Sequence, residues 1–154
     1  MSEQLQISQD YKLILSQIKS ICEDEKDIIA NLANITALLM TSFEHHWIGF
    51  YFVKGDQLVL GPFQGLLACT RINYNKGVCG KSWADKSTII VPNVHEFPGH
   101  IACSALSNSE IVIPIIKAGE VIMILDIDSI HFNQFTLDDK IGLESIAVYI
   151  SSLL

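Results

Sequence analysis

The stretch from Ser109 to Ile127 constrains this chain most. Ser109–Ile116 and Glu120–Ile127 are two strand-length runs rich in β-branched residues, separated only by Lys117-Ala118-Gly119. So short a connection reads as a hairpin of two antiparallel strands. Within it, Asp126 and Asp128 stand two residues apart in Ile124-Leu125-Asp126-Ile127-Asp128-Ser129, so their side chains leave on the same face. Carboxylates are seldom buried without a partner. A strand end reaching solvent is one reading. The other is a small acidic pocket suited to an ammonium group, with Glu110 approaching from the start of the partner strand.

Elsewhere the apolar spacing changes from helical to extended and back. Ile7, Tyr11, Ile14, Leu15, Ile18 and Cys22 recur at helical intervals, so a helix is expected over roughly residues 9–21. The acidic run Glu23 to Asp27 suits a turn and the first turn of a second helix reaching about Thr41. His46–Val53 and Leu58–Phe63 read as strands joined through Lys54-Gly55-Asp56-Gln57. A short helical segment around Val78–Asp85 and a strand over Thr88–Val91 follow. His95 to Ser109 has no sustained period and reads as a long ordered loop, a kind of segment that is usually functional. Thr136-Leu137-Asp138-Asp139 opens a last helix. The expectation is an α+β fold: a mostly antiparallel central sheet of about six strands, with N- and C-terminal helices on one face.

A chain of 154 residues with 49% hydrophobic and 18% charged residues is most simply one domain, residues 1–154, with one substantial core. Its net charge of −7 disfavours nucleic acid, whose phosphates call for a basic surface. No lysine or arginine block suits a membrane surface, and the apolar runs are too short to span one. The polar, acidic start lacks the pattern of a secretory signal. A soluble cytoplasmic protein is expected, in which thiols rest reduced and a disulfide is transient.

That expectation sharpens the meaning of the four cysteines. None belongs to a CxxC pair. Cys69, Cys79 and Cys103 sit among turn residues, an arrangement suited to loops brought together by folding. Cys103, in the long loop after His95 and His100, is the best candidate nucleophile, and Cys69 beside Arg71 offers a second thiol. Cys22, on the apolar face of the first helix, reads as a core residue. Cys79, between Val78 and Gly80, reads equally well as core or as a redox thiol. His95, His100 and Cys103 fall close together, but their spacing matches no common zinc clip, and no metal or other cofactor is expected. Trp47, Gly49 and Tyr51 share a strand face. They form either ordinary core or a flat aromatic wall for a small apolar or sulfur-containing group.

Taken together, Trp47-Ile48-Gly49-Phe50-Tyr51, Leu60-Gly61-Pro62-Phe63-Gln64-Gly65, Gly77-Val78-Cys79-Gly80, Val91-Pro92-Asn93-Val94-His95, Phe97-Pro98-Gly99-His100-Ile101-Ala102-Cys103, Ser107-Asn108-Ser109-Glu110-Ile111-Val112 and Leu125-Asp126-Ile127-Asp128 resemble the free methionine-(R)-sulfoxide reductases, which are single-domain GAF proteins. The resemblance covers about residues 40–130. It implies Cys103 as the attacking cysteine, Cys69 as the resolving one, and Cys79 as a third cysteine with a possible additional redox role. It further implies Glu110, Asp126 and Asp128 as the carboxylates around the substrate, and Trp47 and Tyr51 as its aromatic wall. Asn93 and Ser104 depart from the family pattern, which commonly has aspartate at both places.

The implied reaction is thiol-dependent reduction of free L-methionine (R)-sulfoxide, with Glu110 as proton donor. It passes through a sulfenic acid and an intramolecular disulfide, and thioredoxin then restores the thiols. A homodimer is left open. Carboxylates beside a thiol oppose thiolate formation, so an empty site should hold a rather unreactive Cys103. The alternative is a non-catalytic GAF module that binds a small ligand or senses oxidants.

Overall fold

The computed structural model describes residues 8–154; Ile7, counted above in the first apolar stripe, lies outside them. The order is α1 (Gln9–Cys22), α2 (Ile28–Phe43), β1 (Trp47–Lys54), β2 (Gln57–Gln64), β3 (Arg71–Asn73), α3 (Gly77–Asp85), β4 (Ile89–Val91), β5 (Ser109–Lys117), β6 (Glu120–Ser129) and α4 (Leu137–Ser152). Local chemistry starts the helices where the sequence suggests. Asp27 accepts a hydrogen bond from the Ala30 backbone N–H at the head of α2. At the head of α4, Thr136 and Asp139 cap one another's backbone N–H groups, closing two of the donors that every helix start leaves open.

The six strands form one sheet in the order β3-β2-β1-β6-β5-β4, and every pairing in it is antiparallel. The β5–β6 turn places Ala118 and Gly119 at φ +51° and +80°, the paired positive φ of a tight hairpin turn. β3 is the strand that sequence pattern missed. It has three residues, and only Ile72 is buried, too little for a period to register.

The sheet divides the interior into two layers. On one face, Ile48, Phe50, Ile111, Ile113, Ile115, Leu125 and Ile127 pack against α1, α2 and α4 through Ile18, Leu32, Ile35, Leu39, Ile146 and Ile150. Each such buried aliphatic side chain contributes roughly 1.5–3 kcal/mol. On the other face, Trp47, Tyr51, Val112 and Ile124 meet α3 through Val78 and Cys79. The first layer is built mainly from apolar side chains. The second holds the polar residues singled out above, because residues 110, 126 and 128 alternate to that side. Among the described residues, no helix is long and apolar enough to cross a membrane.

Candidate active site

Register brings the carboxylates together. Glu110 of β5 lies opposite Asp128 of β6, and Asp128 in turn lies opposite Trp47 of β1. Asp126 is flanked by Val112 and Gly49. Glu110 and Asp126 are 5% and 7% exposed, while Asp128 is half-buried. The reading of a strand end reaching solvent therefore fails for Asp126.

Burial governs the electrostatics. It pushes the Glu110 carboxyl well above the usual carboxylate range, and the Asp128 charge adds to the effect. Burial and Glu110 do the same to Asp126; burial and Asp126 do the same to Asp128. With no cation present, three close acidic groups cannot all ionise. His100 Nε2 lies 3.6 Å from Glu110 Oε2, and burial lowers its basicity. Burial thus disfavours the charged form of both partners in that contact. Asp126 Oδ1 and Ser107 Oγ are buried without a hydrogen-bond partner among the described residues.

The aromatic residues of β1 form a wall. Trp47 stacks on Phe63 with ring centres 5.4 Å apart, and Tyr51 lies 6.1 Å from Trp47. A methyl group on Gly49 would overlap the Trp47 indole, so glycine there is what lets the ring lie along the strand. Both rings also hold the loop before β3. Trp47 Nε1 donates to the Leu66 carbonyl at 3.0 Å, and the Tyr51 hydroxyl donates to the Cys69 carbonyl at 2.9 Å.

Above these groups, Cys69 and Cys103 are joined in a disulfide, with Cα atoms 5.5 Å apart across 34 residues of sequence. Both are half-buried. Cys103, Glu110, Asp126, Asp128, Trp47 and Tyr51 all line one cavity of about 40 Å³, room for no more than a few waters. Cys79 lines it too, from the first turn of α3. Its thiol is 4.0 Å from Glu110 Oε1, and burial together with Asp126 pushes it well up. Cys22 is a buried free thiol of the other layer.

His95 does not join this group. Its Nε2 meets Asn108 Oδ1 at 2.9 Å on an exposed surface, so the His95, His100 and Cys103 trio does not converge. Asn93 caps the 3₁₀ turn Val94–Glu96 by accepting from the His95 backbone N–H, and Ser104 bonds His46 Nε2 at 3.2 Å. Sequence reasoning missed Lys76, Ser107 and Ile101 in the cavity lining. Only Lys76, a cation next to the glycine that opens α3, carried any signal.

A GAF-domain family model matches residues 22–154. "GAF domain-containing protein A" of Dictyostelium discoideum is 50% identical over 147 residues, covering 91% of this chain and 93% of that protein. The free methionine-R-sulfoxide reductase of Escherichia coli is 45% identical over 131 residues, 84% of this chain and 79% of that one. The X-ray structure of the Neisseria meningitidis free methionine-R-sulfoxide reductase in complex with its substrate superposes with a TM-score of 0.91 at 48% identity. It covers 93% of this chain and 87% of that one. The chain belongs to the GAF-domain family and, within it, to the free methionine-R-sulfoxide reductases.

Proposed function

We propose that this protein reduces free L-methionine (R)-sulfoxide to methionine. One observation carries the reading: Cys103, disulfide-bonded to Cys69, lines the same cavity as Glu110, Asp126, Asp128, Trp47 and Tyr51. The relatives named as free methionine-R-sulfoxide reductases support the substrate and its R configuration.

The substrate is a zwitterion with a polar S=O and an S-methyl group. Its ammonium would pair with Asp126, Asp128 and Glu110, which supplies the cation those buried groups lack. The first turn of α3 and Lys76 border the same cavity, and open N–H groups at a helix start suit the substrate carboxylate. The methyl group would rest on the Trp47 ring.

Cys103 then attacks the sulfoxide sulfur as protonated Glu110 gives its proton to the oxygen. The hydroxyl then passes from the substrate sulfur to the Cys103 sulfur as the new S–S bond breaks, so methionine leaves and Cys103 is left as a sulfenic acid. The Cys69 thiol displaces water from it, forming the disulfide. An external dithiol, thioredoxin by its redox class, exchanges with that bond and returns both thiols. Cys79 is a spare thiol that can substitute in that exchange. The chain works as a single GAF domain over residues 1–154, in the cytoplasm, where such a reductant is abundant; self-association into a homodimer is compatible with this scheme. No resident cofactor is needed.

The test is direct. The purified reduced protein is mixed with resolved R and S sulfoxides of methionine, with and without thioredoxin and its reductase. Methionine should form from the R isomer only. Formation from neither isomer leaves the GAF module as an oxidant sensor built on the same cysteine pair.

A further inference from the structure

The reaction above leaves Cys79 without a necessary part, although it is among the most deeply placed polar groups of the pocket. It sits on α3, Glu110 on β5 and Asp126 on β6, so three separate elements aim a thiol and two carboxyls at one point. Their donor atoms all lie within 4.8 Å of one another, and all three residues are buried. His100 also lines the cavity, with its Nε2 3.6 Å from Glu110 Oε2. Asp126 also lines the cavity, and its buried Oδ1 has no hydrogen-bond partner among the described residues. A substrate ammonium would use the carboxylates, whereas the thiol sulfur offers it only a weak acceptor.

We infer that Cys79, Glu110 and Asp126 form a binding site for a zinc-type divalent cation, with the fourth position left to water. The donor set decides the class of ion. Sulfur beside carboxylate suits zinc, whereas magnesium and calcium take oxygen ligands alone. A tetrahedral zinc holds its donors roughly 3.5 Å apart. Atoms already inside 4.8 Å therefore need only small side-chain rotations to close on an ion. The ion occupies the carboxylates that the proposed function assigns to the ammonium, so the two ligands exclude one another. The metal site itself stands on geometry and does not depend on the reaction.

Cobalt(II) titration of the oxidised protein tests it, because the Cys69–Cys103 disulfide removes both redox thiols from competition. One cobalt per chain should bind with a thiolate-to-metal charge-transfer band, and zinc should displace it while a tenfold excess of magnesium should not. Cys79→Ser should abolish the band, and Cys22→Ser should keep it. Asp126→Asn, which retains the thiol, should weaken cobalt binding at least tenfold, with circular dichroism checking that each variant is folded. Absence of the band in the wild-type chain, or a band that survives Cys79→Ser, overturns the site. Because no sulfoxide is present, failure here leaves the proposed reaction untouched, and failure of the reaction leaves this result standing.

Discussion

Glu110 and Asp128 stand directly opposite one another on adjacent strands, with Asp126 one alternation along the same face. Like charges so placed repel, and burial adds to the cost of ionising them. The folded protein therefore holds protons that the unfolded chain releases.

The sign of the pH dependence follows. In the unfolded chain these groups ionise near pH 4; in the folded one they ionise well above it. Their contribution to stability is complete below the unfolded value and is lost as pH rises through the folded values. Urea unfolding at pH 5 and pH 8 should show a larger loss over that interval for the wild-type chain than for Glu110→Gln with Asp126→Asn. Equal losses would contradict the protonated floor.

The protons on Asp126 and Asp128 must leave when an ammonium arrives, while Glu110 keeps its own for the sulfoxide oxygen. Calorimetric titration of methionine in buffers of different ionisation enthalpy should show net proton release at pH 7. Proton uptake, or none, would mean that the carboxyl groups are already ionised in the empty pocket.

A site built for a cation should reject the amide nitrogen of N-acetylmethionine sulfoxide. Unpaired buried acceptors discriminate strongly, so kcat/KM should fall at least about a hundredfold relative to the free amino acid. Comparable rates on both would remove the ammonium pocket from the account.

Gly49→Ala tests the wall. The added methyl overlaps the Trp47 indole and must displace it, at a cost of about 1–3 kcal/mol. KM for the sulfoxide should rise several-fold and the thermal midpoint should fall. An unchanged KM with the ring displaced in the variant's structure would show that Trp47 does not contact substrate.

Much of this was legible beforehand, for physical reasons. The Ser109–Ile127 hairpin could be read because alternation of period two and a three-residue break leave one arrangement, and the same alternation puts Glu110, Asp126 and Asp128 on one face. The pairing of Cys69 with Cys103 was not written in any spacing. It came from the likeness to known reductases, since it depends on two loops meeting across the sheet. Cys79 stayed ambiguous because one residue between Val78 and Gly80 has no period; only the packing of α3 buries it. Ser107 and β3 gave no signal because a lone hydroxyl and a three-residue strand look like loop.

The cavity under the disulfide, about 40 Å³, is smaller than the few hundred Å³ of a typical ligand site. Opening the bond should therefore move one of the two loops, Gln64–Arg71 or His95–Ser109. Gly99, at φ +75°, offers the second loop a pivot open to few other residues. Crystals of the reduced protein should show a larger pocket; identical loops in both redox states would contradict this.

The central claim is that Cys103 attacks and Cys69 resolves. Reduced Cys103→Ser and Cys69→Ser proteins, each mixed once with the R sulfoxide and no added thiol, separate the two roles by methionine formed per chain. The account predicts none from Cys103→Ser, because a serine hydroxyl is a far weaker nucleophile at neutral pH, and about one from Cys69→Ser, followed by slow recycling by thioredoxin. Methionine from Cys103→Ser, with none from Cys69→Ser, would contradict it.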